Sequence, residues 1–302
     1  MASPRLLGPE GRAPGRTETE SALSLAERMP RLILEARRVS GTLAHGLHGR
    51  RRAGPGESFW QFRSFVTGEA AARIDWRRSA RDDRLYVRER EWEAAHNIWF
   101  WIDRSASMAF SSDLASASKV ERALVLGLAL ADAFVDGGER VGLLGLTRAR
   151  ASRGIVEHLA QALVADKAGL DRDLPPAAQP ARFDEVVLIG DFLTPPERIA
   201  ESIGGLSAAG SRGHLLMVVD PIEETFPFTG QAVLHDLEGG PSLAIGDAGS
   251  WGERYRARIT AHRERLQEIV RGAGWTLTLH RTDRPASEAA LRLATLVIAR
   301  GG

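Results

Sequence analysis

The stretch WFWIDRSASMAF, residues 99–110, joins an apolar run to an abrupt polar end. A continuous apolar run is typical of a strand that is buried on both faces of a parallel sheet. Asp103 ends the run, and Ser105 and Ser107 follow at alternate positions. Three interpretations of this polar group are open: a serine nucleophile with its helper, a metal cage, or the cap of the next helix.

The segments after residue 95 predict an α/β fold. Strands are predicted from NIWFWID, RVGLLGL, EVVLIGD, HLLMVVD and WTLTLHRTD, with helices between them and after the last. This alternation indicates a doubly wound, mostly parallel sheet with helices on both faces. In such a sheet the ligand site lies beyond the carboxyl ends of the strands, where the strand order reverses.

The N-terminal third has a different organisation. Residues 1–25 offer little apolar surface to bury and are predicted to be a disordered tail. Residues 26–95 are predicted to form one smaller subdomain, in which a helix from LAERMPRLILEARRVSGTLAHGL precedes strands from SFWQFRSFV and DRLYVREREW. The main α/β domain is then expected at residues 96–302.

Composition limits the class of protein. Of 302 residues, 40 are Lys or Arg and 39 are Asp or Glu, so the formal net charge is +1. This balance gives no signal for a nucleic-acid or membrane partner. The chain has no cysteine, which excludes disulfides and thiolate metal sites, and it has no apolar run long enough to span a bilayer. We therefore expect a cytoplasmic protein without a membrane span.

Three predicted strands end in an acid at the same edge of the sheet. FWID ends in Asp103, VLIGD in Asp191 and MVVD in Asp220. If the first two strands are neighbours, Asp103 and Asp191 converge, and Ser105 and Ser107 face the same space. Oxygen donors without His or Cys favour Mg²⁺, or Mn²⁺ in its place, and water or a partner's carboxylate would complete the shell. On spacing alone, a helix cap explains the same residues equally well.

DRSASM, residues 103–108, resembles the D-x-S-x-S motif of the metal-ion-dependent adhesion site in von Willebrand factor A domains. More narrowly, LILEARRVSGTLAHGLHGRRRAGPGESFWQFRSF and the later RIDWRRSARDDRLYVREREWE resemble the family called domain of unknown function 58 (DUF58). This resemblance covers most of the chain, from Leu32 to the final helix. It implies a von Willebrand A-like fold with a family-specific N-terminal part, and a Mg²⁺ or Mn²⁺ site at Asp103, Ser105, Ser107 and Asp191.

The resemblance also implies a function. Members of this family are commonly encoded beside MoxR-type AAA+ ATPases and are thought to act with them. We therefore expect a non-enzymatic adaptor or chaperone-like module that docks such an ATPase, or its client, through the metal site. The family's middle hydroxyl motif, usually a Thr before a helix, has two candidate positions here, Thr147 and Ser152.

Other functions are open from the residues alone. A serine hydrolase would use Ser105 or Ser107 activated through Asp103, but no histidine lies near them in the sequence to act as base. SASK, residues 116–119, matches the S-x-x-K of Ser–Lys acyl enzymes, although the accompanying S-D-N and K-T-G motifs are absent. A metal-free interaction domain with the same fold is the third interpretation.

Overall fold

A computed structural model of the chain describes residues 18–47, 59–66, 69–81, 84–90, 97–234 and 243–300. The chain divides into two compact units, one formed by residues 48–95 and the other by residues 1–47 and 96–302. Most of the tail predicted at residues 1–25 lies outside the described residues, which begin at Glu18.

The larger unit is built on a five-stranded parallel sheet. Its strands are β3 (Asn97–Ile102), β4 (Arg140–Leu143), β5 (Glu185–Gly190), β6 (Arg212–Val219) and β9 (Thr276–Arg281). They lie in the order β4-β3-β5-β6-β9. The predicted α/β class with a parallel sheet is confirmed. The chain adds β4 on one side of β3 and then returns to the other side for β5. The strand order therefore reverses between β3 and β5, and the crevice that favours ligands lies at their carboxyl ends.

Helices cover both faces of this sheet. One face carries α3 (Lys119–Asp136), α4 (Ile155–Ala165) and α8 (Ala286–Arg300), and the other carries α5 (Pro196–Ser207) and α7 (Gly252–Gly272). Because side chains alternate along a strand, Phe100 and Ile102 of β3 enter the first core while Trp101 enters the second. None of the described helices is both long and apolar enough to cross a membrane.

A long N-terminal helix, α1 (Glu18–Leu47), belongs to the larger unit. Its buried residues join the core of α3 and α8; they are Leu25, Met29, Leu32, Ala36 and Leu43. Arg31 also donates a hydrogen bond to Glu121 of α3 at 2.6 Å. This differs from the predicted domain limits, which assign residues 18–25 to a tail and group the helix with the strands after it. The apolar stripe of α1 is buried against helices that the sequence places far away along the chain.

The smaller unit contains two antiparallel strands, β1 (Phe59–Ser64) and β2 (Tyr86–Arg90), so both strands predicted here are confirmed. The short helix α2 (Trp76–Ser79) lies between them in sequence. Asp75 begins this helix, because its carboxylate accepts a hydrogen bond from the Arg78 N–H at 2.9 Å.

The sequence patterns do not predict two elements between β6 and α7. The first is the short helix α6 (Pro221–Thr225), and the second is a hairpin of β7 (Ala232–Leu234) and β8 (Leu243–Ile245). Both are too short to show a hydrophobic period. The helix places Glu223 within hydrogen-bonding distance of Lys119.

His280 on β9 should make the stability of this fold depend on pH. Burial, together with the Arg122 guanidinium, lowers the pKa of the imidazole to about 4 against the opposing charge of Asp283. The unfolded chain takes up this proton near the ordinary pKa of 6.5, before the folded chain does. The free energy of unfolding should therefore fall by roughly 3 kcal/mol as the pH drops from about 6.5 to about 4.

Urea denaturation at a series of pH values measures this dependence. The variant His280→Gln has no proton to gain in this window, so its free energy of unfolding should vary less over the same range. An equally steep dependence in the variant would show that other groups control the acid sensitivity.

Candidate functional site

Asp103 lies at the carboxyl end of β3, in the crevice where the strand order reverses. Its N–H donates to the Ile189 carbonyl at 2.8 Å, which extends the pairing with β5 by one residue. Asp103 is only 1% exposed. Gly190 makes room for it, since a Cβ at that position would lie 2.9 Å from Asp103 Cβ and 3.0 Å from its Oδ2. The close contact between β3 and β5 therefore determines where this carboxylate sits.

A tight turn after β3 brings Ser105 and Ser107 to the same place. The Ser105 N–H donates to Asp103 Oδ1 at 2.9 Å, and residues Ala106–Ala109 continue as a 3-10 turn. Met108 in this turn is fully buried and holds it against the core. As a result the two serine hydroxyl oxygens lie 3.3 Å apart.

Asp191 joins these residues from the end of β5. Its Oδ2 accepts a hydrogen bond from Ser107 Oγ at 2.8 Å. The structure thus brings together the four predicted site residues, Asp103, Ser105, Ser107 and Asp191. Two adjacent strand ends supply the carboxylates, and the loop after the first strand supplies the hydroxyls.

Two further charged residues that the sequence patterns do not place at this site are Lys119, which contacts Asp191, and Glu223, which contacts Lys119. Lys119 Nζ donates to Asp191 Oδ2 at 2.9 Å and to Glu223 Oε1 at 2.6 Å. The Lys119 side chain is only 1% exposed. Lys119 is the first residue of α3, whose start is determined by a capping box between Ser118 and Glu121. The S-x-x-K pattern therefore ends in a lysine that is paired with two acids.

Asp220, the third strand-end acid, organises the surroundings of the site. Its carboxylate accepts hydrogen bonds from Ser112 Oγ at 2.6 Å, Ser112 N at 2.9 Å and Ile222 N at 3.0 Å. In return, the Asp220 N–H donates to Glu223 Oε2 at 2.8 Å, which completes a capping box for α6. Asp220 thus ties the loop after β3 to the end of β6 and holds Glu223 within reach of Lys119.

The two candidates for the middle hydroxyl motif make local contacts. Thr147 Oγ1 accepts a hydrogen bond from the Leu143 N–H at 2.8 Å, at the end of β4. Ser152 is exposed, and its Oγ accepts from the Gly154 N–H at 3.4 Å before α4. Both hydroxyls therefore stabilise their own turns in this structure.

Negative charge dominates the site. Burial raises the pKa of the Asp103 carboxyl to about 7, with the charge of Asp191 as the second cause, against hydrogen bonds from Ser105. Burial alone would lower the pKa of Lys119, but the Asp191 and Glu223 carboxylates outweigh it and raise that pKa above its usual value. One ammonium thus faces three carboxyl groups, so the charge balance of the site favours an additional cation.

The chemistry of the donors fits Mg²⁺ or Mn²⁺. The separations of 3.3 Å between the serine oxygens and 2.8 Å between Ser107 and Asp191 are close to the roughly 3 Å between neighbouring ligands of an octahedral ion. Within the described part of the chain, no three His, Cys, Asp or Glu side chains are grouped to hold a metal ion. An ion at this edge would therefore depend on the two serines as well as on Asp103 and Asp191.

A cavity of about 220 Å³ lies at the ends of β3 and β4, and none of the four predicted site residues lines it. Phe100 and Leu144 contribute to its apolar wall, and Arg104 lies on its charged side. Arg104 is buried and donates to Asp166 Oδ2 at 2.5 Å. The cavity thus combines apolar surface with a fixed ion pair next to Asp103.

A family model described as protein of unknown function DUF58 matches residues 61–265, which is more than half of the chain. The chain belongs to the DUF58 family. The DUF58 chain is also similar to uncharacterised proteins of Mycobacterium bovis and Mycobacterium tuberculosis. The identity is 29% over 279 residues, which cover 86% of this chain and 86% of each relative.

Two solved structures are similar to the DUF58 chain over 68% of its length. One is the conserved hypothetical protein BatB from Bacteroides thetaiotaomicron, with 16% identity, a TM-score of 0.41 and 98% of that chain covered. The other is an aerotolerance-related membrane protein from Bacteroides fragilis with multiple mutations to serines, with 17% identity, a TM-score of 0.39 and 99% covered. At these TM-scores, nothing about the function of the DUF58 chain follows from either structure.

In the DUF58 chain, Gly190→Ala should displace the Asp103 carboxylate. The new methyl group would lie 2.9 Å from Asp103 Cβ, so β5 or the side chain has to move. Overpacking of this kind lowers the free energy of unfolding by roughly 1–3 kcal/mol, which chemical denaturation measures.

Gly204→Ala in α5 is the matched control, because a Cβ there meets nothing within 4 Å. It should leave the stability unchanged or raise it by up to about 1 kcal/mol. If both variants had the same stability, Gly190 would not constrain Asp103.

Proposed function

We propose that this chain is a non-enzymatic protein-binding module that docks a partner at the carboxyl edge of its parallel sheet. The convergence of Asp103, Ser105, Ser107 and Asp191 from two adjacent strand ends is the observation that carries the proposal. Strand ends at a reversal of strand order are where α/β sheets bind their ligands.

Exposed leucines around this edge support a protein as the ligand. Leu114 follows β3, Leu146 follows β4 and Leu193 follows β5, with exposures of 58%, 41% and 44%. All three lie on loops at the same end of the sheet as the four site residues. Apolar side chains around a polar centre supply the contact area that a protein partner buries.

The proposal includes a divalent metal ion and a von Willebrand A-like fold. Asp103, Ser105, Ser107 and Asp191 would hold Mg²⁺, or Mn²⁺ in its place, directly or through water. A bound ion supplies an open coordination position that a carboxylate of the partner can fill. Both the strand order and the D-x-S-x-S motif at the end of β3 support this interpretation.

The proposed partner is a MoxR-type AAA+ ATPase or one of its clients. This part of the proposal rests on the family resemblance, because members are commonly encoded beside such ATPases. The module would then act as an adaptor in the cytoplasm, where ATP is available to the ATPase.

Two observations favour docking over serine hydrolysis. Ser107 donates to Asp191, and Ser105 is buried with its oxygen against that of Ser107. Lys119, which would be the base of a Ser–Lys pair, is kept protonated by Asp191 and Glu223. A protonated ammonium cannot accept a proton from a serine.

Isothermal titration calorimetry tests the metal site. The wild-type protein should bind Mn²⁺ and Mg²⁺ at millimolar concentration or below, and Asp103→Asn should weaken binding at least about tenfold, since it removes a ligand charge without changing its size. Asp113→Asn, an exposed acid in the same loop, is the matched control and should bind as the wild type does. No heat of binding from the wild type at millimolar ion would refute the site.

The same three proteins test docking. Purified MoxR-type ATPase from the same organism is immobilised, and binding is measured in the presence of Mg²⁺. The wild type and Asp113→Asn should bind equally, and Asp103→Asn should bind at least about tenfold more weakly. Equal binding by all three proteins would place the contact elsewhere on the surface.

A serine-reactive fluorophosphonate probe tests the enzymatic alternative. Ser105 and Ser107 should both stay unmodified, because the Asp191 carboxylate that accepts from Ser107 also holds the Lys119 ammonium, and a carboxylate is a weak base for a serine hydroxyl. Mass-spectrometric detection of the probe on Ser105 in the folded protein would favour a hydrolase instead.

A further inference from the structure

Lys119 contacts an oxygen atom of Asp191 that also belongs to the proposed metal site. Its Nζ lies 2.9 Å from Asp191 Oδ2, the same oxygen that accepts the hydrogen bond from Ser107 at 2.8 Å. A metal ion bound between Ser107 and Asp191 would approach this oxygen too. Lys119 therefore supplies positive charge to the same Asp191 oxygen that a metal ion at this site would contact.

Lys119 also has a second counter-ion that stays in place. Its Nζ lies 2.6 Å from Glu223 Oε1, while Glu223 Oε2 is held by the Asp220 N–H at 2.8 Å. Lys119 can therefore release Asp191 and remain paired with Glu223. Without Glu223, release of Asp191 would leave a buried and unpaired ammonium, which is strongly unfavourable.

The choice of lysine suits this exchange. Only two of the 40 basic residues in the chain are lysines, Lys119 and Lys167, and the other 38 are arginines. An ammonium on a flexible stem can move between two carboxylates, whereas the rigid guanidinium of arginine tends to hold one carboxylate with two bonds. Position 119, which contacts the proposed site, therefore carries lysine, which can move between the Asp191 and Glu223 carboxylates more readily than arginine could.

We propose that Lys119 is an internal competitor of the metal ion. In the metal-free protein its ammonium occupies Asp191, and when a divalent ion binds it withdraws to Glu223. The affinity and selectivity of the site are then controlled by Lys119 and Glu223, neither of which is among the four proposed ligands. This inference rests on the proposed metal-dependent docking function.

Two substitutions should change metal affinity in opposite directions. Lys119→Met keeps most of the side-chain length and removes the charge, so Asp191 is free and Mg²⁺ should bind at least about tenfold more tightly. Glu223→Gln removes the second counter-ion, so Lys119 should remain on Asp191 and Mg²⁺ should bind several-fold more weakly.

Glu224→Gln is the matched control for Glu223→Gln. Glu224 is the next residue of α6 and loses the same charge, but it pairs with Arg263 at 2.8 Å and Arg281 at 3.4 Å. It should bind Mg²⁺ as the wild type does. Thermal unfolding of each variant without metal shows whether it is folded, and Glu223→Gln keeps the test informative if Lys119→Met does not fold.

Isotope labelling of the lysine ε-methylene groups gives a readout on the wild-type protein. With two lysines, the spectrum contains two signals, and exposed Lys167 serves as the internal reference. Titration with Mg²⁺ should shift the Lys119 signal and leave the Lys167 signal in place. An ion bound with neither signal moving would contradict the exchange.

The calorimetric outcomes separate the two proposals. Tighter binding by Lys119→Met with weaker binding by Glu223→Gln supports the inference. Binding by the wild type that neither substitution changes overturns the inference and leaves the proposed metal site intact. Metal binding by Lys119→Met alone supports Lys119 as a competitor and counts against a metal ion in the wild type. No metal binding by the wild type or by any variant refutes both the metal site and the role of Lys119.

Discussion

The pairing of β3 with β5 forces two carboxylates into one small volume. Parallel neighbours end at the same edge, so Asp103 and Asp191 meet there, and both are nearly inaccessible to water. Two buried carboxylates at neighbouring strand ends repel each other, so their negative charges are unfavourable unless positive charge is nearby. Several surrounding residues place positive charge or polar contacts at this edge of the sheet.

Three other elements supply these contacts: the start of α3, the helix α6 and the end of β6. The first residue of α3 supplies the ammonium of Lys119, and α6 supplies Glu223 to share it. Asp220 at the end of β6 begins α6 and also holds the loop that carries Ser112. The loop after β3, the start of α3 and the end of β6 are therefore connected through polar contacts at the same edge, and a change at one of them affects the others.

In the proposed function, this edge of the sheet is a binding surface whose affinity for a partner depends on a bound cation. In the proposed exchange, Lys119 contacts Asp191 until a divalent ion binds. An added divalent ion would meet ligands that are already positioned, at the cost of displacing one ammonium. Docking of an acidic partner would then depend on metal concentration through the competing contact between Lys119 and Asp191. The exposed leucines around the edge would supply apolar contact area that does not depend on metal.

The sequence predicts the sheet from local patterns, and it predicts the convergence of the four residues on the condition that β3 and β5 are neighbours. NIWFWID and EVVLIGD show their burial and their final acids directly, and Gly and Ser mark the turns that follow. Glu223 could not be predicted, since it lies 104 residues from Lys119 in a helix too short to show a period. The partner of α1 was missed for the same reason: its stripe predicts that something is buried but not against which surface. Lys119 did carry a signal, as a charged residue directly after a capping serine and before a fully apolar helix face.

The most direct test of the account is a crystal structure grown with millimolar Mn²⁺ and measured for its anomalous scattering. A single anomalous peak should lie within roughly 2.0–2.3 Å of the Ser105 and Ser107 hydroxyl oxygens. It should also be close to Asp103 and Asp191, with Lys119 Nζ in contact with Glu223 alone. A structure with no peak at this edge and with Lys119 still bound to Asp191 would contradict the central claim that the strand-end site holds a divalent ion.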